Sequence, residues 1–378
     1  MSSKPQARIM TTFQIVIRYG STVYVLISIL CVALMTGLLC IAPNNDSKTY
    51  ELPRYLVRPI VKPIRVHYHN RPPWINLDIF SSCDHKCYLT AGGRIPNSGV
   101  TIFHTPYVNE RHTSKKKGQI WVFHSMEPPW LHRSKFEKWK LEFNWTMSYR
   151  RDSDIMIPYG KFKTREVEQS TWDNETNQLT EKWQQKSKHI AWMVSHCGTP
   201  GKRDEYVSML NQITPVDIYG RCGKKKCIQS KTMECLEPYK FYLSFENHFC
   251  EDYITEKSFK VYNSLLSPIP ITRGGSNYSM FLPPGSFIDV SKFRNVSHLE
   301  NYINSLSQNI SNVMEYMRWR KHYQLVTDYT HAFCELCRRL HLADPHKYKR
   351  LYRDIGDWNR GDKDKIKRTS CKDPQDLV

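Results

Sequence analysis

The segment that decides the fold covers residues 241–290, FYLSFENHFCEDYITEKSFKVYNSLLSPIPITRGGSNYSMFLPPGSFIDV. Apolar and polar side chains alternate over residues 241–245, which is typical of a β-strand. A polar triplet ends the strand and predicts a loop: Glu246, Asn247 and His248. From Thr255 onward, apolar residues recur at helical spacing, at Phe259, Tyr262, Leu265 and Leu266.

Strand, polar loop and helix in this order predict one unit of an α/β sheet. Thr255, Glu256 and Lys257 fall on the first helical turn, where free N–H groups and the positive dipole end attract anions. Open α/β sheets bind phosphates and sugars at this edge. Residues 268–271 predict a short buried strand, and the glycine pair that follows lets backbone approach a ligand. An ordinary βαβ unit with polar caps is the alternative interpretation.

This segment resembles the α1,3-fucosyltransferases, glycosyltransferase family ten, through YLSFEN, DYITEK and the NY…F.P..SFI pattern. Two further stretches share the resemblance: FNWTMSYRRDSDIMIPYG at residues 143–160, and MVSHCGTPGKR at residues 193–203, followed by VDIYGRCG. Together they cover roughly residues 74–358. The sequence departs from the family at His196, usually Asn, at His248, usually Ser, and in a TRGGSNY stretch about two residues shorter.

The expected fold is α/β, with two Rossmann-like domains facing a cleft, preceded by one transmembrane helix and a short stem. The alternation of strands and helices in two halves of the chain by itself favours two α/β domains that face a cleft. The resemblance implies the same arrangement, which is named GT-B in glycosyltransferases. The predicted acceptor-side domain covers residues 61–186, with a polar connector from about residue 160, and the GDP-fucose-binding domain covers residues 187–358.

The resemblance implies a chemistry in which fucose moves from GDP-fucose to O3 of an N-acetylglucosamine, with inversion. Direct attack of the acceptor hydroxyl on a β-linked donor gives the α product. Such a reaction needs a base for the hydroxyl proton, charge stabilisation for the leaving GDP and groups that hold an oxocarbenium-like sugar.

The resemblance assigns these tasks to individual residues. Glu127, in HSMEPP after a buried strand at residues 120–123, matches the base. Glu256 matches the carboxylate beside the fucose. The residues predicted to bind the donor are Arg203, Glu246, Asn247, Tyr253, Glu256 and Lys257. Each assignment has an ordinary structural alternative. Glu127 would be a surface glutamate before a turn, Arg203 a solvated arginine on a helix, and Glu256-Lys257 an exposed ion pair.

Asp152-Ser153-Asp154 looks like the D-x-D metal site of other glycosyltransferases. It falls in the acceptor-side domain, whereas GT-B donors bind the second domain. Lys257, Arg203 and the helix end supply the positive charge that Mn²⁺ supplies elsewhere. We therefore predict no metal ligand and no required cofactor, with Mn²⁺ at most stimulatory and GDP-fucose as donor substrate.

The N-terminal region predicts a membrane anchor. Residues 19–42 form a charge-free run of 24 residues, long enough to cross a bilayer. Lys4, Arg8 and Arg18 precede it, so the bias of positive charge puts the 18-residue tail in the cytosol and the rest in the lumen. A cleaved signal peptide is the alternative. Residues 43–60 are then predicted to form a stem and residues 359–378 a basic tail. The family resemblance implies a single-pass type II membrane enzyme of the Golgi.

The formal charge of +19 would suit a nucleic-acid-binding protein, but the sequence contains no nucleic-acid-binding motif. The predicted anchor also places most of the chain in the lumen, away from DNA and RNA. Ten of the twelve cysteines follow the apolar run, an even number that predicts disulfides in an oxidising compartment. A zinc site at Cys83, Cys87, Cys334 and Cys337 is the alternative. The family resemblance implies that the first two of these cysteines join the last two. Six glycosylation sequons support a lumenal address: Asn45, Asn144, Asn174, Asn277, Asn295 and Asn309.

The function predicted is Lewis-type α1,3-fucosylation of Galβ1-4GlcNAc antennae on glycoproteins or glycolipids. The cysteine pattern around residues 195–227 also occurs in members that act on the N-glycan core GlcNAc, which is the alternative acceptor. A catalytically silent lumenal lectin or chaperone is an alternative of another class. A protein O-fucosyltransferase shares the donor but lacks these motifs.

Overall fold

Two parallel β-sheets organise the chain. The computed structural model describes residues 62–92, 94–97, 99–105, 115–129, 136–265, 267–343, 350–361 and 370–377. The first sheet has the strand order β2-β1-β3-β4-β5-β6. Its strands are β1 Ile64–Tyr68, β2 Cys87–Ala91, β3 Val100–His104, β4 Ile120–Ser125, β5 Trp145–Ser148 and β6 Ile155–Met156.

The chain then alternates between helices and the strands of the second sheet. The elements are β7 Lys161–Thr164, α1 Gln169–Gln184, β8 Lys188–Met193, α2 Arg203–Ile213, β9 Val216–Tyr219, α3 Thr232–Leu236, β10 Tyr239–Phe245, β11 Phe249–Cys250, α4 Glu256–Phe259, β12 Ile269–Arg273, β13 Ile288–Asp289, α5 Val296–Gln308, α6 Ile310–Met317, β14 Tyr323–Val326, α7 Thr330–Leu342, α8 Ile355–Arg360 and β15 Cys371–Lys372. The second sheet is parallel, in the order β13-β12-β10-β8-β9. The pairs β11–β15 and β7–β14 are antiparallel.

Each sheet has its own apolar core. Aromatic rings fill the first, where Phe103, Trp121 and Phe123 of the strands pack with Trp139 and Phe143. Aliphatic side chains dominate the second, where β8, β10 and β12 pack against α2, α5 and α6. Both sheets are built of near-continuous buried runs, as expected for parallel strands covered on both faces. The predicted α/β class with two parallel sheets is confirmed.

The polar stretch predicted as a connector forms a strand and a helix, and its role as the connector between two domains stays a prediction. β7 pairs with β14, and α1 buries Leu179 and Trp183 in the core of the second sheet. Most of α1 is solvent-facing, so its composition resembles a linker although two apolar residues four apart hold it on the core. The domain boundary at residues 186 and 187 stays a prediction.

The helix predicted from Thr255 is shorter than its apolar spacing suggested. α4 ends at Phe259 and a 3₁₀ turn, Lys260–Tyr262, replaces the rest. Within the tail predicted at residues 359–378, β15 pairs with β11 and Leu377 packs against the core of the second sheet. The predicted cytosolic tail, anchor and stem lie outside the described residues. Within the described ranges, no helix has the length and hydrophobicity that a membrane span requires.

All ten cysteines after the apolar run form disulfides. The bridges are Cys83–Cys334, Cys87–Cys337, Cys197–Cys222, Cys227–Cys235 and Cys250–Cys371. The first two join the start of the first sheet to α7, as the family resemblance implied. Phe80 packs edge-on against Phe333 of α7 beside them. The zinc alternative is wrong for the described chain, because all four sulfurs are bonded in pairs.

The twin bridges predict a non-additive stability. Once Cys83–Cys334 is closed, Cys87–Cys337 restricts only a ring of a few residues in the unfolded chain. Removing either bridge by paired Cys→Ser changes should therefore cost about 2–3 kcal/mol, and removing the second as well about 5 kcal/mol more. Urea unfolding of the purified protein measures both.

The matched control is Cys227–Cys235, whose sequence separation is only 8. Its removal should cost about as much as the loss of one twin bridge. If removal of both twin bridges lowered the free energy of unfolding by only the sum of the two single losses, the loop-closure argument would be contradicted.

Candidate active site

A buried carboxylate organises the loop at the carboxyl end of β10. Glu246 has no exposed side-chain surface. It accepts hydrogen bonds from the backbone N–H of Thr255 at 2.8 Å and from the Thr255 hydroxyl at 2.9 and 3.0 Å. The Lys257 ammonium lies 3.2 Å from its Oε2. Glu246 was predicted to bind the donor, but these contacts favour a role in bracing the loop.

Lys257 is held as a positioned cation at the same edge. Its Nζ donates to Thr255 Oγ1 at 2.7 Å and to Glu256 Oε1 at 3.4 Å, and 17% of the side chain is exposed. Burial lowers the pKa of Lys257, but the Glu246 and Glu256 carboxylates outweigh it and raise the pKa above its ordinary value. The ammonium is therefore charged, fixed in direction and open on one side.

Glu256 extends from α4 with 61% of its side chain exposed. Burial raises its pKa, while Lys257 and Lys260 lower it, and the net shift is below the ordinary value. The group is thus a carboxylate at neutral pH. α4 is only four residues long, so its dipole contributes less at this edge than the two side chains do.

Glu127 reaches this edge from the other sheet. It follows β4, where Ser125 Oγ accepts from the Glu127 N–H at 3.3 Å and donates to its carbonyl at 3.1 Å. The Tyr253 hydroxyl donates to Glu127 Oε2 at 3.5 Å. Tyr253 is buried and packs edge-on against Tyr149 of the first sheet's edge. The structure therefore brings together the predicted base and the loop of predicted donor residues.

Burial makes Glu127 a stronger base than an ordinary glutamate. Burial raises the pKa of its carboxyl above the ordinary value. Glu256 and Glu246 raise it further, whereas Lys257 and the hydrogen bond from Tyr253 lower it. A base works best when its pKa approaches the operating pH, so this shift favours proton acceptance from a hydroxyl.

Arg203 lies deeper than its predicted role requires. It opens α2 with 3% exposure, and its guanidinium donates to Phe245 O at 3.1 Å and His196 O at 2.7 Å. Its buried Nε has no hydrogen-bond partner among the described residues. Arg203 therefore joins the ends of β8 and β10 at the predicted donor edge, and its diphosphate contact stays a prediction.

Asn247 and two glycines shape the same edge. The Asn247 carbonyl accepts the Gly201 N–H at 2.7 Å, while the buried Asn247 Oδ1 has no partner among the described residues. A Cβ on Gly201 would lie 2.8 Å from Glu246 O, and one on Gly274 would lie 2.5 Å from Tyr278 Oη. At Gly201 the neighbouring backbone leaves no room for a side chain, and at Gly274 the side chains of Tyr278 and Glu246 occupy that space.

Comparison with known proteins decides the family. The model "Fucosyltransferase, N-terminal" matches residues 66–160, and "Glycosyltransferase family 10 (fucosyltransferase) C-term" matches residues 183–358. The human 4-galactosyl-N-acetylglucosaminide 3-α-L-fucosyltransferase is 34% identical over 67% of this chain and 71% of its own length. The chain belongs to glycosyltransferase family 10, the fucosyltransferases.

Two fly relatives in the family are matched over less of their length. α-(1,3)-Fucosyltransferase C of Drosophila melanogaster is 34% identical, over 68% of this chain and 64% of its own length. Glycoprotein 3-α-L-fucosyltransferase A of the same fly is 32% identical, over 73% of this chain and 54% of its own. A solved structure of an α1,3-fucosyltransferase with GDP is 15% identical and covers 80% of this chain and 95% of its own, with a TM-score of 0.48.

In this family 10 chain, the D-x-D carboxylates are engaged in internal contacts. Asp152 forms a two-point ion pair with Arg150 at 2.6 and 2.8 Å. Asp154 accepts from Thr146 N at 2.8 Å and pairs with Arg350 at 2.7 Å. These contacts tie the β5–β6 turn to residues 350–352 and give both carboxylates a structural role.

One sequon is inconsistent with its predicted use. Asn144 is 3% exposed, accepts from Trp121 N at 2.9 Å and donates to Arg350 O at 2.8 Å. The folded protein does not present this amide, so its burial argues against the predicted glycosylation of Asn144. Asn174, Asn277, Asn295 and Asn309 are exposed, and Asn45 lies outside the described residues.

Sequence reasoning missed the residues that join the two sheets at the site. Arg151 donates to Asp252 Oδ1 at 2.8 Å. Tyr159 donates to Met126 O at 2.7 Å beside Glu127, and its ring lies edge-on to Tyr253 of the β10 loop. Arg151 and Tyr159 both lie within the family stretch at residues 143–160, but only their contacts in the structure show that they join the two sheets. They hold the β10 loop against the end of β4.

Tyr253→Phe should shift the acid limb of the pH–rate profile to higher pH. The hydroxyl stabilises the Glu127 carboxylate, so its loss raises the pKa of Glu127 further, and the base is protonated at a higher pH as pH falls. The measurement is kcat/KM against pH with GDP-fucose and a glycan acceptor.

Tyr149→Phe is the matched control, because the neighbouring ring is kept and the Tyr149 hydroxyl has no hydrogen-bond partner among the described residues. Its acid limb should coincide with that of the unmodified enzyme. An acid limb that stays in place in Tyr253→Phe would remove Glu127 as the titrating group.

Proposed function

We propose that this protein transfers L-fucose from GDP-fucose to O3 of N-acetylglucosamine in glycans, with inversion. The observation that carries the proposal is the meeting of Glu127, from the first sheet, with Lys257 and Glu256, from the second, through Tyr253. A base with a raised pKa opposite a fixed cation is what acceptor activation and diphosphate departure require. Family membership supports the donor.

Each residue has a task in one displacement. The acceptor O3 attacks C1 of fucose, its proton passes to Glu127, and the bond from C1 to the β-phosphate oxygen breaks. The electron pair leaves with GDP, whose negative charge Lys257 stabilises. The exposed Glu256 carboxylate stabilises positive charge at the fucose ring. Asn247, with an unused buried amide oxygen, and Tyr253 complete the donor side, and Arg203 orients the loop or touches the diphosphate.

The finer architecture belongs to the same proposal. The two parallel sheets form the two Rossmann-like domains of a GT-B enzyme, with the acceptor on the side of β4 and GDP-fucose at the carboxyl ends of β8, β10 and β12. Ligands bind at this edge in open parallel sheets. The cluster of Glu246, Thr255 and Lys257 at the end of β10 supports this assignment.

The proposed acceptor is a Galβ1-4GlcNAc antenna on a glycoprotein or glycolipid, and the proposed site is the Golgi lumen. The name of the human relative, a 4-galactosyl-N-acetylglucosaminide 3-α-L-fucosyltransferase, supports the antenna. Five disulfides support an oxidising compartment. One N-terminal helix would anchor the enzyme as a single-pass type II protein.

A single assay tests donor, linkage and acceptor. The purified protein is incubated with GDP-fucose and, separately, with N-acetyllactosamine and an N-glycan bearing its core chitobiose, and products are analysed by mass spectrometry. Fucose on O3 of the antennal GlcNAc is expected. Transfer to the core GlcNAc alone would show that the core, and not the antenna, is the acceptor. Absence of transfer to both would favour a catalytically silent lectin.

Two variants should separate acceptor activation from donor binding. Glu127→Gln removes the base and should reduce transfer by about 10²-fold or more, while GDP affinity stays. Lys257→Ala removes the fixed cation and should weaken GDP binding. Initial rates and calorimetric titration with GDP measure the two effects.

Lys292→Ala, an exposed lysine on the same half of the chain, is the matched control and should leave both quantities unchanged. Full turnover in Glu127→Gln would exclude it as the base. Unchanged GDP affinity in Lys257→Ala would exclude it from the donor site.

Transfer should persist in EDTA, because the Lys257 ammonium supplies positive charge at the leaving group and the D-x-D carboxylates are paired with arginines. Mn²⁺ can still stimulate by binding released GDP, so the rate in EDTA is compared with that after Mn²⁺ addition. Complete loss in EDTA with full recovery in Mn²⁺, reproduced by Asp152→Asn, would establish the metal site instead.

A further inference from the structure

A C-terminal strap, residues 370–377, lies along the loop that carries the proposed donor residues. β15 pairs with β11 in antiparallel register, Phe249 with Lys372 and Cys250 with Cys371. The Cys250–Cys371 disulfide locks this pairing, and the Glu251 N–H donates to Ser370 O at 2.6 Å. The loop between β10 and α4 is therefore one strand of a small sheet whose other strand is the strap.

The far end of the strap neutralises a buried cation. Arg273, the last residue of β12, is 1% exposed, and it donates through Nε and one terminal nitrogen to the two oxygens of Asp376, at 2.8 and 2.7 Å. Among the described residues, Asp376 is the only carboxylate in ion-pair contact with Arg273. Asp376 remains 25% exposed. Breaking such a pair from one side leaves an uncompensated buried charge.

Arg273 also connects the segments that shape the donor edge. Its remaining terminal nitrogen donates to Gly201 O at 2.6 Å, just ahead of α2. Its guanidinium lies 4.7 Å from the Phe249 ring and 4.9 Å from the Tyr206 ring. Its backbone carbonyl accepts the Glu246 N–H at 2.9 Å. One side chain thus touches the entrance of α2, the β10 loop and the strap.

We propose that Arg273 and Asp376 are positioning residues for the donor site, and that the strap sets GDP-fucose affinity without touching the donor. The ion pair fixes the guanidinium, which in turn holds Gly201 and Phe249 and so the register of the loop from Glu246 to Thr255. This inference rests on the proposed function, because it takes that loop as the GDP-fucose site. Two-point geometry is essential, since it orients the guanidinium plane as well as balancing its charge.

A purely structural strap would lower thermal stability and leave the donor KM of the folded enzyme alone. A positioning strap changes the donor KM and spares the acceptor KM. The two roles are separated by steady-state kinetics on folded protein, with GDP affinity measured calorimetrically and the thermal midpoint recorded for each variant.

Asp376→Asn is the decisive variant, because it removes the charge and keeps the shape. It should raise the KM for GDP-fucose and the Kd for GDP by about fivefold or more, the lower end of typical coupling between sites, with an unchanged acceptor KM. Asp376→Glu, which keeps the carboxylate, should recover most of the affinity. Asp373→Asn removes the same charge from an exposed position of the strap and should behave as the unmodified enzyme.

A second measurement needs no variant. Coupling is reciprocal, so GDP should slow hydrogen–deuterium exchange of residues 370–377 together with that of residues 246–255 in the unmodified protein. Protection of the loop alone would overturn the strap proposal, as would a donor KM in Asp376→Asn equal to that in Asp373→Asn. Absence of GDP binding by both the unmodified enzyme and Asp373→Asn would instead overturn the proposed function, and the strap proposal with it.

Discussion

The candidate site depends on one buried carboxylate, Glu246. A glutamate without solvent contact is unfavourable unless hydrogen bonds and a counter-charge compensate for lost hydration. Thr255 supplies the hydrogen bonds and Lys257 the charge, so the loop after β10 is forced to turn back onto the strand end. This closure fixes the direction of the Lys257 ammonium and the start of α4. The cost of burying Glu246 is thus offset by a preorganised cation.

The second requirement is that two sheets meet at one site with little freedom. Tyr253 reaches Glu127 and Arg151 pairs with Asp252. α7 packs on the first sheet and is bonded by disulfides to the start of that sheet. The contacts at the site are polar and partly exposed, so each is weak alone. The disulfides act on the unfolded chain instead and restrict it at any pH or salt concentration. The two disulfides thus stabilise the first sheet from a distance, while weak polar contacts join that sheet to the second at the site.

Much of this arrangement could be predicted from sequence, and the failures have physical reasons. β4, β8, β10 and β12 are largely buried strands with apolar runs, and the ends of β4 and β10 carry Glu127 and Glu246 as expected. α1 was missed because a surface helix needs few apolar residues to hold it, here Leu179 and Trp183 with the partly buried Trp172. Asn144 satisfies the sequon rule, which is local, while its burial depends on Arg350 more than two hundred residues away. Arg273 and Asp376 are likewise partners that no short pattern connects.

The charge balance of the site links donor binding to the strength of the base. Lys257 is the cation that lowers the pKa of Glu127, while Glu246 and Glu256 raise it. If GDP-fucose binds as proposed, its diphosphate engages Lys257 and cancels most of that cation's effect at Glu127. The pKa of Glu127 then rises further, so the carboxylate is a stronger base with the donor bound than without it. After transfer, the more negative GDP favours the protonated Glu127 for the same reason. On the proposed mechanism, the same electrostatics would hold the proton on Glu127 until GDP departs, and release of GDP would restore the carboxylate.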